Sequence, residues 1–144
     1  MAQSPEVRTV LIHGKALEGD LLKRIQPVLR MLETRKIVRV LTEAYAKLLT
    51  ENGLDWASSG MRVHQPGVTP APDMVLSLGG DGTVLETASM VGAESIPVLG
   101  INTGRLGFLA HVPIEEAELL LGDILSGGYT VEERNMLSVE FPGL

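Results

Sequence analysis

The chain contains no cysteine and few aromatic residues. Among its 144 residues are one Trp, two Tyr and two Phe, and no Cys. The missing cysteine excludes disulfides and thiolate metal ligands, and it fits a cytoplasmic protein. The sequence also lacks an apolar run of the roughly 18 residues that a membrane-spanning helix needs, and it lacks a basic and then apolar secretion signal. We therefore expect no membrane partner.

Positive charge is scarce in the second half of the chain. Residues 63–144 carry only Arg105 and Arg134 against eleven Asp and Glu, whereas residues 1–62 carry ten Lys and Arg against seven Asp and Glu. An acidic half repels a nucleic-acid backbone, so we do not expect nucleic acid as a partner. A phosphorylated ligand bound to this half would need main-chain N–H groups and a metal ion for most of its charge compensation.

Short apolar runs alternate with segments of helical spacing. Buried strands are predicted at residues 7–12, 37–41, 74–78 and 96–101, with a short strand at 61–64 inside a loop. Helices are predicted at residues 20–32, 42–49, 84–91 and 113–125. Pro27 should kink or restart the first helix. Leu137, Val139 and Phe141 alternate like a half-buried strand.

This order of elements predicts the fold class. Strands that are apolar along their whole length and alternate with helices indicate a parallel sheet covered on both faces. We predict a three-layer, doubly wound α/β fold with a mostly parallel sheet, Rossmann-like or phosphofructokinase-like. Ligands of such folds bind at the carboxyl ends of the strands.

One strand leads directly into a glycine loop, Gly79-Gly80-Asp81-Gly82-Thr83. Glycines let a ligand approach the main chain, and the start of the following helix favours phosphate. A carboxylate in that place would contact a hydroxyl, accept a proton or hold a metal ion. Thr83 and Glu86 have the spacing of a capping box, which predicts that they start the helix. The alternative is a tight turn with Asp81 at the surface; the loop alone predicts only nucleotide or phosphate binding.

Other chemical motifs are absent or weak. Gly14-Lys15 is followed by Ala16 instead of Ser or Thr, so this segment is not a P-loop. His13, His64 and His111 lack the spacing of metal ligands, and we expect ordinary surface or boundary histidines.

A second element, Asn-Thr-Gly-Arg-Leu-Gly-Phe-Leu at residues 102–109, follows some twenty residues after the glycine loop. Together the two elements resemble the paired signature of NAD kinases. The glycine loop alone also occurs in diacylglycerol, sphingosine and 6-phosphofructokinases, so the second element discriminates. The similarity covers roughly residues 73–140, and residues 1–72 agree in layout only.

The resemblance implies ATP-dependent phosphorylation of the 2′-hydroxyl of NAD to give NADP. Asp81 would be the general base, a divalent ion such as Mg²⁺ would accompany ATP, and no residue is expected to bind the metal directly. The implied NAD contacts are Asp81, Gly82, Asn102 and Phe108, and the implied ATP or phosphate contacts are Gly79, Gly80, Gly82, Thr83 and Arg105. Phe108 as a core residue and Arg105 as an exposed loop residue are the alternatives. Many relatives have a basic residue in place of Glu86, which we assign to capping.

The resemblance also implies a domain organisation. We expect residues 1–136 to form the nucleotide-binding domain and residues 137–144 to begin a β-rich C-terminal domain that is missing. The 144 residues alone are then expected to be inactive, and exposed strand edges favour a homo-oligomer. Two alternatives stay open: a lipid or sugar kinase with the same loop, and a non-catalytic nucleotide-binding or assembly domain.

Overall fold

The computed structural model describes residues 4–143, which contain one sheet of six parallel strands. The strands are β1 (Thr9–Gly14), β2 (Val38–Leu41), β3 (Arg62–Val63), β4 (Met74–Gly79), β5 (Val98–Asn102) and β6 (Val112–Pro113). Their order across the sheet is β3-β2-β1-β4-β5-β6, and each neighbouring pair is parallel. The predicted parallel α/β sheet is confirmed.

Four α-helices connect or follow the strands. They are α1 (Leu21–Thr34), α2 (Glu43–Glu51), α3 (Asp81–Val91) and α4 (Ile114–Leu125), and a 3₁₀ turn (Gly92–Glu94) follows α3. Thr42 caps α2, because its hydroxyl oxygen accepts from the N–H of Tyr45 at 3.3 Å. Pro27 lies inside α1, which continues through it without restarting; Ile25, Val28 and Leu29 around it are buried.

The two faces of the sheet bury different amounts of apolar surface. Val10, Ile12 and Leu76 belong to a large core with α1, α2 and α4, on what we call the α1 face. Since side chains alternate along a strand, their neighbours Leu11 and Val75 lie on the opposite, α3 face. There a small cluster packs beneath Val91 of α3. Helices thus cover both faces, as the three-layer prediction requires.

The predicted start of α3 is wrong. The helix begins at Asp81 after an extended Gly80, and no side-chain capping bond is present at its start. Thr83 lies inside the first turn and is buried, and Glu86 pairs with Lys15 instead of reaching back to the main chain. The capping-box spacing is real, but the glycines allow the helix to begin two residues earlier than Thr83.

The predicted strand at residues 137–141 is also wrong. This segment has no regular structure, and Leu137, Val139 and Phe141 are 93%, 70% and 67% exposed. A strand needs a neighbour for its hydrogen bonds, and no strand within residues 4–143 pairs with it. The boundary at residue 136 stays a prediction. Within the same residues, no helix combines the length and apolarity that crossing a bilayer takes.

Candidate functional site

The carboxyl ends of β1 and β4 meet where the chain changes direction across the sheet. β2 and β3 lie on one side of β1, and β5 and β6 lie on the far side of β4. Gly14 at the end of β1 is opposite Leu78, one residue before Gly79 at the end of β4. Doubly wound sheets bind ligands at such a switch point. The glycine loop therefore lies where this fold receives a ligand.

The start of α3 presents main-chain donors to this crevice. The first intrahelical bond runs from the N–H of Val84 to the carbonyl of Gly80, at 3.2 Å. The N–H groups of Asp81, Gly82 and Thr83 precede it and have no acceptor within the helix. Together with the positive end of the helix dipole, these donors favour an anion at the loop.

The Asp81 carboxylate joins the glycine loop to the second element. Its Oδ2 accepts from the N–H of Phe108 at 2.9 Å, and its Oδ1 accepts from Leu109 at 2.9 Å and Ala110 at 3.2 Å. The bond from Leu109, and then that from Phe108, hold the pKa of Asp81 below its usual range. Asp81 is therefore an oriented anion at neutral pH, and Oδ2 keeps capacity for a further donor.

Two glycines make this close approach sterically possible. A β-carbon on residue 107 would lie 2.6 Å from Oδ2 of Asp81, and one on Gly79 would lie 2.9 Å from the β-carbon of Thr83. Both distances are shorter than atoms tolerate. Gly107 is therefore required for the carboxylate to reach the next three N–H groups, and Gly79 is required for the turn into α3.

Asn102 organises the second element from within. Its side chain is buried; Oδ1 accepts from the N–H of Gly104 at 2.8 Å, and Nδ2 donates to the carbonyls of Arg105 and Ala110. The N–H of Thr103 donates to Gly79 at 3.1 Å and ties the two loops together. The structure thus gives Asn102 a loop-building role, whereas its predicted NAD contact stays a prediction.

The remaining predicted residues lie at the same edge of the sheet. Phe108 is 85% exposed, so the alternative that it is a core residue is wrong. Arg105 and Gly82 are also exposed, whereas Thr83 is buried beside Gly79. A ligand can therefore reach the exposed residues Phe108, Arg105 and Gly82. The buried Thr83 can contact a ligand only through its main-chain N–H.

A polar cluster beside the loop was not predicted from the sequence. His13 is 2% exposed, so the expectation of a surface or boundary histidine is wrong. Its Nδ1 lies 2.7 Å from Oγ1 of Thr42, and its Nε2 lies 3.4 Å from Oε1 of Glu86. Nζ of Lys15 lies 2.7 Å from Oε2 of Glu86. Burial, and then the charge of Lys15, lower the pKa of His13. His13 and Lys15 lie at the end of β1, so the strand-end rule was the signal that could have found them.

Arg24 connects the second element to the helices of the α1 face. Its guanidinium donates to the carbonyl of Thr103 at 3.3 Å and pairs with Glu115 on α4. This contact brings a cation from the first half of the chain to the loop of the acidic second half.

The donor groups do not form a dedicated metal cage. Within the described residues, no three His, Asp or Glu side chains come close enough to hold a metal ion together. Magnesium that is bound chiefly by nucleotide phosphates needs only one or two protein carboxylates.

The fold and the crossing of the two loops define a class of protein: a doubly wound α/β domain with an anion-binding crevice at its switch point. Residues 10–129 match the family model of the ATP-NAD kinase N-terminal domain. The chain belongs to this family. The match favours NAD kinases over the lipid and sugar kinases that carry a similar glycine loop.

Individual relatives agree with the family match. The NAD kinase of Cytophaga hutchinsonii is 35% identical over 128 residues, which cover 89% of this chain and 44% of that protein. The NAD kinase of Bacteroides fragilis is 57% identical over 67 residues, covering 46% of this chain and 23% of that protein. The crystal structure of yeast NADH kinase complexed with NADH has a TM-score of 0.65 at 20% identity, covering 86% and 39% of the two chains, and shows the shared fold. This chain spans less than half the length of each.

Proposed function

We propose that this chain is the nucleotide-binding N-terminal domain of an NAD kinase, which transfers phosphate from ATP to the 2′-hydroxyl of NAD and yields NADP. The observation that carries the proposal is the position of Asp81. Its carboxylate is held anionic by the N–H groups of Phe108, Leu109 and Ala110, beside the free N–H groups that begin α3. A hydroxyl acceptor and a phosphate cradle therefore stand next to each other.

The chemistry follows from these positions. The 2′-oxygen attacks the γ-phosphorus, the bond from that phosphorus to ADP breaks, and the hydroxyl proton passes to Asp81. Because the pKa of Asp81 is lowered, its main contribution is to orient the hydroxyl and not to remove its proton early. Phosphoryl transfer depends chiefly on positioning and charge stabilisation, so an orienting acid suits the reaction.

The residues around Asp81 divide into two groups in this proposal. The NAD side consists of Asp81, Gly82, Asn102 and Phe108, and the phosphate side consists of Gly79, Gly80, Gly82, Thr83 and Arg105.

The wider predictions accompany this proposal. We expect Mg²⁺ or a similar divalent ion to accompany ATP, where it would neutralise part of the phosphate charge, and no residue of this chain is expected to bind the ion directly. The protein is expected to be cytoplasmic, to bind neither nucleic acid nor membrane, and to form a homo-oligomer. Light scattering tests the last point, and a strict monomer would contradict it.

The test is the Asp81→Asn variant of the full-length protein in a coupled assay for NADP. We expect kcat to fall by about 10²–10⁴-fold, the range of general acid–base contributions. Glu118→Gln removes an exposed carboxylate on α4 and serves as the matched control with unchanged turnover. Circular dichroism verifies that both variants are folded. Near-normal kcat in folded Asp81→Asn would reject the role of Asp81.

Calorimetry with ATP and NAD, together with the coupled assay for NADP, separates the alternative functions. An NAD kinase binds both ATP and NAD and forms NADP, whereas a non-catalytic domain binds without turnover. A lipid or sugar kinase would phosphorylate diacylglycerol or fructose 6-phosphate instead. The expectation that residues 1–144 alone turn over little NAD stays a prediction, and robust NADP formation by this chain would contradict it.

A further inference from the structure

A lysine stands in the crevice at the switch point. Lys15 is the first residue after β1, and its side chain is 53% exposed. β1 pairs with β4, whose last residue opens the glycine loop. The ammonium group lies beside α3, where it contacts Glu86 in the second turn of that helix.

The position beside α3 is electrostatically unfavourable for a lysine whose only role is structural. The start of α3 carries the positive end of the helix dipole, which repels a cation. Glu86, in the second turn of α3, offsets this repulsion through the 2.7 Å contact of its Oε2 with Nζ of Lys15. The side chains of this pair are 53% and 39% exposed, which limits what their attraction contributes to stability.

Glu86 also faces a buried chain of polar groups. The hydroxyl oxygen of Thr42 accepts from the N–H of Tyr45, and its proton can point to Nδ1 of His13, 2.7 Å away. The proton of the neutral imidazole then lies on Nε2, which faces Oε1 of Glu86 at 3.4 Å. Glu86 thus turns one oxygen to a fixed histidine and the other to Lys15.

Charge supply gives a second, independent argument. Residues 63–144, which include the glycine loop and α3, contain two basic side chains against eleven acidic ones. Neutral N–H groups can cradle a phosphate, but they bring no net charge to a di- or triphosphate. The fold can supply that charge from the first half of the chain, because Lys15 follows β1 and lies beside α3.

We propose that Lys15 binds a phosphate of the nucleotide in this crevice, and that Glu86 is the counter-ion that holds the ammonium group when phosphate is absent. This inference rests on the proposed function for the identity of the nucleotide, and on the geometry of β1 and α3 for the phosphate site. Lys15 is then a ligand-binding residue, and Glu86 and His13 are positioning residues.

The first experiment measures phosphate binding without turnover. Sodium tripolyphosphate, ATP and NAD are titrated into the wild-type chain and into Lys15→Gln by calorimetry. We expect the variant to bind tripolyphosphate about tenfold more weakly, as the loss of a charged hydrogen bond predicts. Lys47→Gln, an exposed lysine on α2, is the matched control and should keep the wild-type Kd. Loss of affinity for ATP or for NAD identifies which nucleotide supplies the phosphate.

The second experiment tests the coupling to Glu86. Glu86→Gln keeps an amide oxygen near Lys15 but removes the competing charge, so tripolyphosphate should bind about threefold more tightly. A merely structural Glu86 would not produce this gain. In the double variant Lys15→Gln/Glu86→Gln the gain should disappear, because it acts through Lys15. A gain that persists in the double variant would overturn the coupling.

The failures are distinguishable from those of the proposed function. Equal binding of tripolyphosphate, ATP and NAD by folded Lys15→Gln and wild type would overturn the role of Lys15 and leave the kinase proposal standing. The same holds if wild type binds ATP and NAD but no tripolyphosphate. Conversely, Lys15-dependent binding of tripolyphosphate with no NADP formation by the full-length protein would support the phosphate site and reject the kinase proposal.

Discussion

The two faces of the sheet are built from the same strands but differ in their chemistry. On the α1 face, Ile12, Leu76 and Ile101 are fully buried among the side chains of three helices. On the α3 face, the alternate positions of β1 and β4 include His13 and Ser77, which contact α3 through polar atoms. The α1 face therefore buries mainly apolar side chains. The α3 face buries fewer of them and instead makes polar contacts near the crevice.

The polar contacts of α3 fix this helix against the sheet. They matter because the first three residues of α3 belong to the glycine loop. The hydroxyl of Thr87 donates to the carbonyl of Thr83 at 2.8 Å and lies 2.9 Å from Oγ of Ser77 on β4. Buried polar pairs of this kind fix one geometry, because any shift leaves donors unsatisfied. The α3 face therefore favours a defined position of the loop over maximal stability.

Truncation of one leucine on each face should show the largest effect. Leu76→Ala, on the α1 face, removes a fully buried side chain from the large core, whereas Leu11→Ala removes an 8% exposed one from the small cluster. We expect the free energy of unfolding to fall by about 4 kcal/mol for Leu76→Ala and by about 2 kcal/mol for Leu11→Ala. Urea unfolding measures both. An equal or larger loss for Leu11→Ala would remove the distinction between the faces.

The next effect concerns the fit at the carboxyl edge. Gly107→Ala places a β-carbon against the Asp81 carboxylate, so the hydrogen bonds to the second element must lengthen. We expect a loss of about 2 kcal/mol in stability, the usual range for overpacking, together with weaker nucleotide binding. Gly104→Ala meets no atom within 4 Å and is the matched control. If both variants unfold alike in urea, the carboxylate does not depend on the glycine.

These contacts also show how far the sequence predicts the molecule. The parallel sheet follows from apolar runs such as residues 74–78, because burial on both faces leaves an uninterrupted pattern. The position of the glycine loop follows from the strand-end rule. The partners of Asp81 could not be predicted, because they are main-chain N–H groups 27 to 29 residues away that no side-chain pattern reveals.

The errors have a common cause, which is that local patterns compete with distant packing. The Thr83–Glu86 spacing indicates a cap, but Glu86 forms an ion pair with Lys15, the residue that follows β1. His13 was expected to be an ordinary surface or boundary histidine, because the three histidines lack the spacing of metal ligands, whereas α3 and Thr42 enclose it. The alternation at residues 137–141 indicates a strand, but a strand also requires a neighbour.

A smaller effect should follow from the hydroxyl contacts of α3. Thr87→Val keeps the shape of a fully buried side chain but leaves Ser77 without its partner. We expect a loss of about 1–2 kcal/mol in thermal or urea unfolding. Ser89→Ala is the matched control, because its hydroxyl makes the same kind of bond to the preceding turn on the exposed side of the helix. A neutral Thr87→Val would show that the polar contact does not hold α3.

The smallest effect is a pH dependence, because a single imidazole causes it. Burial and the charge of Lys15 lower the folded pKa of His13 below its ordinary 6.5, while Glu86, the other charged group that faces it, is already paired with Lys15. As the pH falls through 6.5, the unfolded chain therefore takes up a proton before the folded chain does. The free energy of unfolding should therefore decrease as the pH falls from about 7 through 6.5, and it should be constant at higher pH as far as His13 is concerned. His13→Gln removes the group, so urea unfolding of this variant should show a flatter slope across the same window. If the slope of the variant equals that of wild type, the buried imidazole does not cause the pH dependence of the free energy of unfolding.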